Sequence, residues 1–147
     1  MTTLIRPLTA ADETPWRALW KAYLEFYETA VPEEVYATTF ARLLSVDHPD
    51  QNALVAVQND VPIGLVHYIY HAHNWRIEQV CYLQDLYADP AVRGTGVGRQ
   101  LIEAVYAQAD ANGCPSVYWM TQDFNTQARK LYDRIGVLTP FIKYNRP

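Results

Sequence analysis

Only two cysteines, Cys81 and Cys114, occur in the chain, and they show neither metal-ligand spacing nor a disulfide framework. Both read as small buried hydrophobes, and no metal site is expected. Long apolar runs are equally scarce. None approaches the ~18 uncharged residues that a membrane span needs, and the start lacks the basic, apolar, small-residue succession of a secretory leader. The expectation is a cytoplasmic protein with no membrane partner. Positive charge is also in short supply, with 12 Lys and Arg against 16 Asp and Glu and a net charge of −4. That balance argues against nucleic-acid binding and favours small cationic partners through long-range attraction. No repeat, linker or low-complexity segment interrupts the chain. What it does have is 147 residues, half of them hydrophobic, which suits one compact domain over 1–147 with a core of its own.

Leu4 to Leu8 reads as a short strand, and Thr9, Asp12 and Glu13 place capping residues and negative charge where a helix should begin. Trp16, Leu19, Trp20, Tyr23, Leu24 and Tyr27 then recur at helical spacing. Pro32 opens a second helix that carries Val35, Tyr36, Phe40, Leu43 and Leu44 and ends near Ser45. Ala53 to Gln58 and Ile63 to His71 are strand-like runs joined through Asn59-Asp60-Val61-Pro62, a hairpin signal. Val80 to Ala88 is a further strand, stopped by Asp89-Pro90. From Val97 a helix presents Leu101, Ile102, Val105 and Ala109 on one face until Asn112-Gly113 ends it. Ser116 to Thr121 reads as a strand, Asn125 to Ile135 as a helix closed by Gly136, and Phe141 to Tyr144 as a last strand. The predicted order, β-α-α-β-β-β-α-β-α-β, implies an α/β domain with a mixed, mostly antiparallel central sheet and helices on both faces.

The most specific stretch is Arg93-Gly94-Thr95-Gly96-Val97-Gly98-Arg99, between a strand and a helix. Glycines there let backbone N–H groups turn toward an anion, and the helix N-terminus adds a favourable dipole. The loop is not a Walker motif, which needs a Gly-Lys-Ser/Thr ending. Nor is it the dinucleotide fingerprint Gly-x-Gly-x-x-Gly, because Gly94, Gly96 and Gly98 alternate. A tight strand-to-helix connection alone would also account for it.

A second segment, Asn125-Thr126-Gln127-Ala128-Arg129-Lys130-Leu131-Tyr132-Asp133-Arg134-Ile135-Gly136, follows downstream. With it, Arg93-x-x-Gly96-x-Gly98 resembles the acetyl-CoA pyrophosphate motif of the GNAT N-acetyltransferase superfamily, and Asn125 through Gly136 resembles that family's second cofactor motif. The order of elements also matches, so the resemblance covers nearly the whole chain. The Leu83-Gln84-Asp85-Leu86-Tyr87 strand and the Thr139-Pro140-Phe141-Ile142 ending look like diamine acetyltransferases and the fungal histone/polyamine-type enzymes. The resemblance implies acetyl-CoA as cosubstrate and a small-molecule amine, such as a polyamine or amino acid, as acceptor. It also leaves room for a homodimer. It implies that Leu86, Tyr87 and Ala88 pair by backbone with the pantetheine arm. Gly94, Thr95, Gly96, Val97, Gly98 and Arg99 would donate N–H groups to the pyrophosphate, with the Arg93 side chain nearby, and Asn125 would bond the arm. A protein lysine or N-terminal acetyltransferase, or a sensor that binds acetyl-CoA without chemistry, are the alternatives.

A primary amine with a pKa of ~10.4 is neutral in only about one molecule in a few thousand at pH 7, a handicap of roughly 4–5 kcal/mol. Something must take that proton, and the coenzyme A thiolate that leaves needs a proton or hydrogen bond. The resemblance implies Tyr132 for the second task, seven residues past Asn125. For the first, the diamine acetyltransferases carry a glutamate where this chain has Gln84, and an amide cannot accept a proton at neutral pH. Gln84 could still orient a water. Strand alternation puts Tyr82, Gln84 and Leu86 on one face and Cys81, Leu83, Asp85 and Tyr87 on the other, so Asp85 reaches the cleft only if a bulge re-aims it. Gln84 and Asp85 therefore stand with Tyr132 as the catalytic candidates. His67, His71 and His73 share a face of the preceding strand and offer an alternative base. Glu25 and Glu28 end the first helix, where a second ammonium group of a polyamine could sit.

Overall fold

The computed structural model describes residues 2–147. Strand β1 (Leu4–Pro7) leads through a single 3-10 turn at Ala10–Asp12 into helix α1 (Glu13–Phe26). The junction is tied by Arg6, whose guanidinium donates to both oxygens of Asp12 at 2.7 and 2.9 Å, while Thr9 N–H donates to the same carboxylate at 2.8 Å. The Arg6 hydrogen bonds hold the Asp12 carboxyl below the usual carboxylate range. Helix α1 buries Trp16, Leu19, Trp20 and Leu24, the stripe its spacing predicts, and α2 (Glu33–Leu44) follows after Pro32.

Strands β2 (Gln51–Gln58) and β3 (Val61–His71) form an antiparallel hairpin. Its turn is Asn59-Asp60, both left-handed with φ of 50° and 64°, the conformation that a two-residue hairpin loop requires. Val61 and Pro62 belong to the strand. Strand β4 (Val80–Ala88) pairs antiparallel with β3, and helix α3 (Val97–Ala111) returns the chain across the sheet. Strand β5 (Val117–Tyr118) then pairs parallel with β4, and α4 (Thr126–Ile135) closes the order of elements.

The sheet runs β1-β2-β3-β4-β5, antiparallel as far as β4 and parallel at its last pair. The expected mixed, mostly antiparallel sheet is what forms. Two cores lie against it. Leu101, Ile102, Val105 and Ala109 of α3 pack on Leu54, Val66, Tyr68, Cys81 and Leu83, while Trp16, Leu19, Trp20 and Leu24 of α1 and Phe40 of α2 pack on Val55, Val57 and Leu65. Cys81 and Cys114 are both buried and free, as their spacing suggested.

Two expected strands need correction. The run Ser116 to Thr121 yields only Val117–Tyr118. Beyond it the chain leaves the ladder as Trp119 packs on Tyr106 and Tyr132, with ring centroids at 6.3 and 5.6 Å. Phe141 to Tyr144 forms no strand, and Phe141, Ile142 and Tyr144 are 81, 78 and 88% exposed. Apolar and β-prone residues suffice for a strand only where a second strand offers a ladder.

Candidate active site

After β4, a 3-10 turn at Pro90–Val92 is set by the Asp89 carboxylate, which accepts the Ala91 N–H at 2.8 Å. Gly94 and Gly96 follow at φ of 81° and 91°, a region that a side chain would strain, and Gly96 is the N-cap of α3. A Cβ added at either glycine would meet nothing within 4 Å, so the space over the loop is open. The first helical bond of α3 joins the Gln100 N–H to the Gly96 carbonyl at 3.0 Å. The N–H groups of Val97, Gly98 and Arg99 therefore precede the ladder and face out along the helix axis. An anion such as a pyrophosphate fits this cradle of backbone donors and helix dipole.

The side chains of the loop are turned elsewhere. Arg93 donates from Nε to the Ala88 carbonyl at 3.1 Å and lies over the Tyr87 ring at 5.2 Å, and Arg99 pairs with Glu103 at 2.7 Å. Thr95 donates its hydroxyl to the Val92 carbonyl, and the Val97 side chain is buried in the α3 core. Both guanidinium groups are thus engaged within the protein.

Beside the loop the sheet is split. β4 keeps its partners on the β3 side through Leu86, Tyr87 and Ala88, paired with Val66, Leu65 and Gly64. On the β5 side only Cys81 and Tyr82 are paired, with Val117 and Tyr118. Residues 83–88 consequently border a cleft open to an extended, amide-bearing chain.

Within β4 the register slips by one residue. His67 pairs with Asp85 and Tyr68 with Leu83, so Gln84 is the bulged residue without an opposite number. The bulge moves Asp85 and Tyr87 off the face occupied by Cys81 and Leu83 and onto the α1 face. Strict alternation fails here for the reason that made Asp85 conditional on a bulge. Gln84 is exposed, whereas Asp85 is 8% exposed and His67 4%. Two donors meet at Asp85 Oδ2, His67 Nδ1 at 2.8 Å and Trp20 Nε1 at 3.2 Å. The Trp16 indole donates to His67 Nε2 at 2.9 Å. Tyr23 donates its hydroxyl to the Gln84 carbonyl at 3.4 Å, and burial first, then the Asp85 charge, raises this phenol well above its ordinary range.

Tyr132, on α4, packs against the α3-side core with its ring 5.6 Å from that of Trp119. Burial, with a smaller contribution from Tyr27 at the end of α1, pushes its hydroxyl up to about 12. The Asp85 charge, after burial, also raises the Tyr27 phenol. Asn125 caps α4, accepting the Ala128 N–H at 3.3 Å and donating to Thr121 Oγ1 at 3.4 Å. Its amide is occupied with the helix head and the β5 loop.

The three histidines part company. His67 is buried beside Asp85, His71 reaches the Tyr118 hydroxyl at 2.7 Å, and His73 lies past the strand, accepting the Trp75 N–H at 3.1 Å. No group of His, Cys, Asp and Glu able to hold a metal occurs among the described residues. Of the two helix-end glutamates, Glu25 lies 3.9 Å from Lys21 and lines a cavity of about 420 Å3 at the α1–α2 connection, while Glu28 sits in the turn with φ of 57°. A second cavity, of about 340 Å3, is walled by Trp20, Leu24, Val35 and Ile69 and bordered by Gln84 and Asp85. The β4 bulge forms part of the wall of the second. Sequence reasoning missed Trp16, Trp20 and Tyr23 as polar partners. The one available signal was the density of N–H and O–H bearing aromatics on the buried stripe of α1.

With this geometry in view, the relatives are informative. A sequence model described as the acetyltransferase (GNAT) family matches residues 16–137. The D-amino-acid N-acetyltransferase HPA3 of Saccharomyces cerevisiae is 39% identical over 144 residues, 97% of this chain and 89% of that protein. The thialysine N-epsilon-acetyltransferase of Bos taurus is 31% identical over 69% of this chain and 55% of its own. Among solved structures, AAC(6')-Iy in complex with the bisubstrate analog CoA-S-monomethyl-acetylneamine superposes with a TM-score of 0.87 over 100% of this chain and 99% of that one, at 21% identity, a likeness of fold. No helix among the described residues is long and apolar enough to cross a membrane. The chain belongs to the GNAT acetyltransferase family and is an acetyl-CoA-dependent N-acetyltransferase.

Proposed function

We propose that the whole chain works as one domain that moves the acetyl group of acetyl-CoA onto a small primary amine. Asp85 holds the amine and takes its proton, and Tyr132 faces the departing sulfur. The observation that carries this reading is the Gln84 bulge, which turns the Asp85 carboxylate onto the α1 face, where it borders a cavity, whereas alternation alone would place it on the other face. The adjoining cavity of about 340 Å3 is of small-molecule size. The names of the relatives, a D-amino-acid and a thialysine acetyltransferase, support a small amine as acceptor.

The amine nitrogen attacks the thioester carbon, its proton passes to Asp85 and on to water, and the C–S bond breaks as the carbonyl reforms. Gln84, exposed at the apex of the bulge, orients the water. The pyrophosphate rests on the N–H groups of Gly94 and of Gly96 through Arg99, the Thr95 N–H being turned to the Val92 carbonyl at 3.3 Å, and the pantetheine arm lies along Leu86, Tyr87 and Ala88. With its hydroxyl pushed up to about 12, Tyr132 would lose roughly 5 kcal/mol in passing its proton completely to a thiolate of pKa ~8.5. Its contribution is a hydrogen bond to the developing charge, and the thiolate takes its proton from water.

The two buried free thiols suit a reducing cytoplasm, and the net charge of −4 suits no nucleic-acid partner. We further infer a homodimer from the apolar tail, where Val137, Leu138, Phe141, Ile142 and Tyr144 are each more than 70% exposed. Exposed large apolar side chains in such number mark an interaction surface. Light scattering after size exclusion should give twice the chain mass, falling to one when residues 137–147 are removed.

Coenzyme A release over a panel of polyamines, amino acids, aminoglycosides and lysine peptides tests the activity. Turnover with a small amine is expected, and Asp85→Asn should lower kcat about 10³-fold with the KM for acetyl-CoA little changed. Lysine peptides outrunning every small amine, or a folded Asp85→Asn at full rate, would overturn the reading.

A further inference from the structure

An indole N–H is a donor only. Because Trp16 donates to His67 Nε2 at 2.9 Å, that nitrogen must carry a lone pair, and the ring proton sits on Nδ1. Nδ1 faces Asp85 Oδ2 at 2.8 Å, so the imidazole donates to the carboxylate. Trp20 adds a second donor to the same oxygen at 3.2 Å. The hydrogen-bond assignment is determined at both ends: a donor-only group at one, an acceptor-only carboxylate at the other. Protonating Nε2 would set two N–H groups against each other, and moving the proton to Nε2 alone would also set a lone pair against the carboxylate.

The chain crosses the molecule from helix to strand to strand. Trp16 is fully buried in α1 and stacks on Trp20 at 5.2 Å between ring centroids, and His67 lies 5.9 and 5.5 Å from the two indoles. Both fixed donors end on Oδ2, so the orientation of the carboxylate is determined by its neighbours.

We propose that Trp16 and His67 are positioning residues which lock the imidazole in its Nδ1–H tautomer and thereby aim the Asp85 carboxylate at the acceptor amine. The proposal rests on the reading of Asp85 given above. It assigns His67 no direct exchange of protons with the substrate, which separates it from the free histidine base that the sequence left open. It also explains why a pair of tryptophans at i, i+4 spacing is placed under the catalytic strand: their N–H groups supply the two ends of the clamp.

The test compares variants that keep or delete each donor. An asparagine at 67 carries its amide N–H close to the place of Nδ1, so His67→Asn should hold kcat within about threefold. His67→Leu should lower it about 10- to 100-fold, with the KM for acetyl-CoA unchanged. Trp16→Phe keeps an aromatic ring but deletes the first donor, and should lower kcat about tenfold. In 15N-histidine spectra, wild-type His67 should show the Nδ1–H pattern, and Trp16→Phe should shift the Nε2 resonance as that nitrogen loses its donor. Should either leucine or phenylalanine variant fail to fold, the other with the spectra suffices. Full kcat in a folded His67→Leu or Trp16→Phe protein, while Asp85→Asn is inactive, would overturn the positioning role alone. Full activity in Asp85→Asn would remove the reading beneath it. A wild-type Nε2–H pattern would overturn the tautomer and the proposal with it.

Discussion

On the α3 side of the sheet, Leu101, Ile102 and Val105 close on Cys81 and Leu83 with no buried carboxylate or imidazole between them. On the α1 side, at the same depth, an indole, an imidazole and a carboxylate are linked in series. One strand serves both: β4 sends Cys81 and Leu83 to the first face and Asp85 to the second, by way of the bulge at Gln84. The α3 face is packed for rigidity and anchors the helix whose N-terminus borders the glycine loop. The α1 face accepts the cost of buried polar groups, which is tolerable only because each has a partner.

Three substitutions sharpen that contrast, taken from the largest effect downward. Leu101 is fully buried at the centre of the α3 face. Leu101→Ala should cost about 3 kcal/mol of stability by transfer and cavity formation, measured by denaturant unfolding, while kcat of the folded fraction stays near normal. If turnover collapsed at a temperature where the variant is folded, the α3 face would be more than scaffold. Tyr132→Phe keeps the packing on Trp119 and deletes one hydroxyl, so kcat should fall about 10²-fold with little change in melting temperature. A change of less than threefold, with chemistry shown to limit the rate, would return Tyr132 to the core. Gly96→Ala places a Cβ on a residue at φ of 91°, in open space. It should lose about 1–2 kcal/mol to backbone strain and weaken acetyl-CoA binding several-fold, leaving kcat at saturation unchanged. An unaltered dissociation constant by calorimetry would take Gly96 out of the cradle.

Helix α1, helix α3 and the β2–β3 hairpin were legible because each carries its own period and punctuation: the tryptophan stripe, the Leu101-Ile102-Val105-Ala109 face, the Asn59-Asp60 turn. The glycine loop was legible for the same reason, since its requirements are local. The short β5 and the absent last strand were not, because a strand depends on a partner that no window of sequence contains. The bulge lay in between. Alternation through Cys81 and Leu83 is correct up to Gln84 and fails after it, since one unpaired residue changes the face of every later one. His67 meets Asp85 across 18 residues and Trp16 meets His67 across 51, and no spacing rule links such positions. The partners that Arg93 and Asn125 take within the protein, the Ala88 carbonyl and the head of α4, were likewise outside what spacing shows.

The split between β4 and β5 has a thermodynamic consequence for the protein's lifetime. Among the described residues, peptide groups of residues 83–88 that face away from β3 have no strand to pair with, and the pantetheine arm proposed to lie there would complete the sheet. Bound cosubstrate would then be a structural element, and the free energy of binding would add to that of folding, about 2.7 kcal/mol at a hundredfold excess over Kd. Hydrogen exchange along β4 and cleavage by protease should both slow as acetyl-CoA rises. The amount of intact enzyme would follow the supply of the acetyl donor that it consumes.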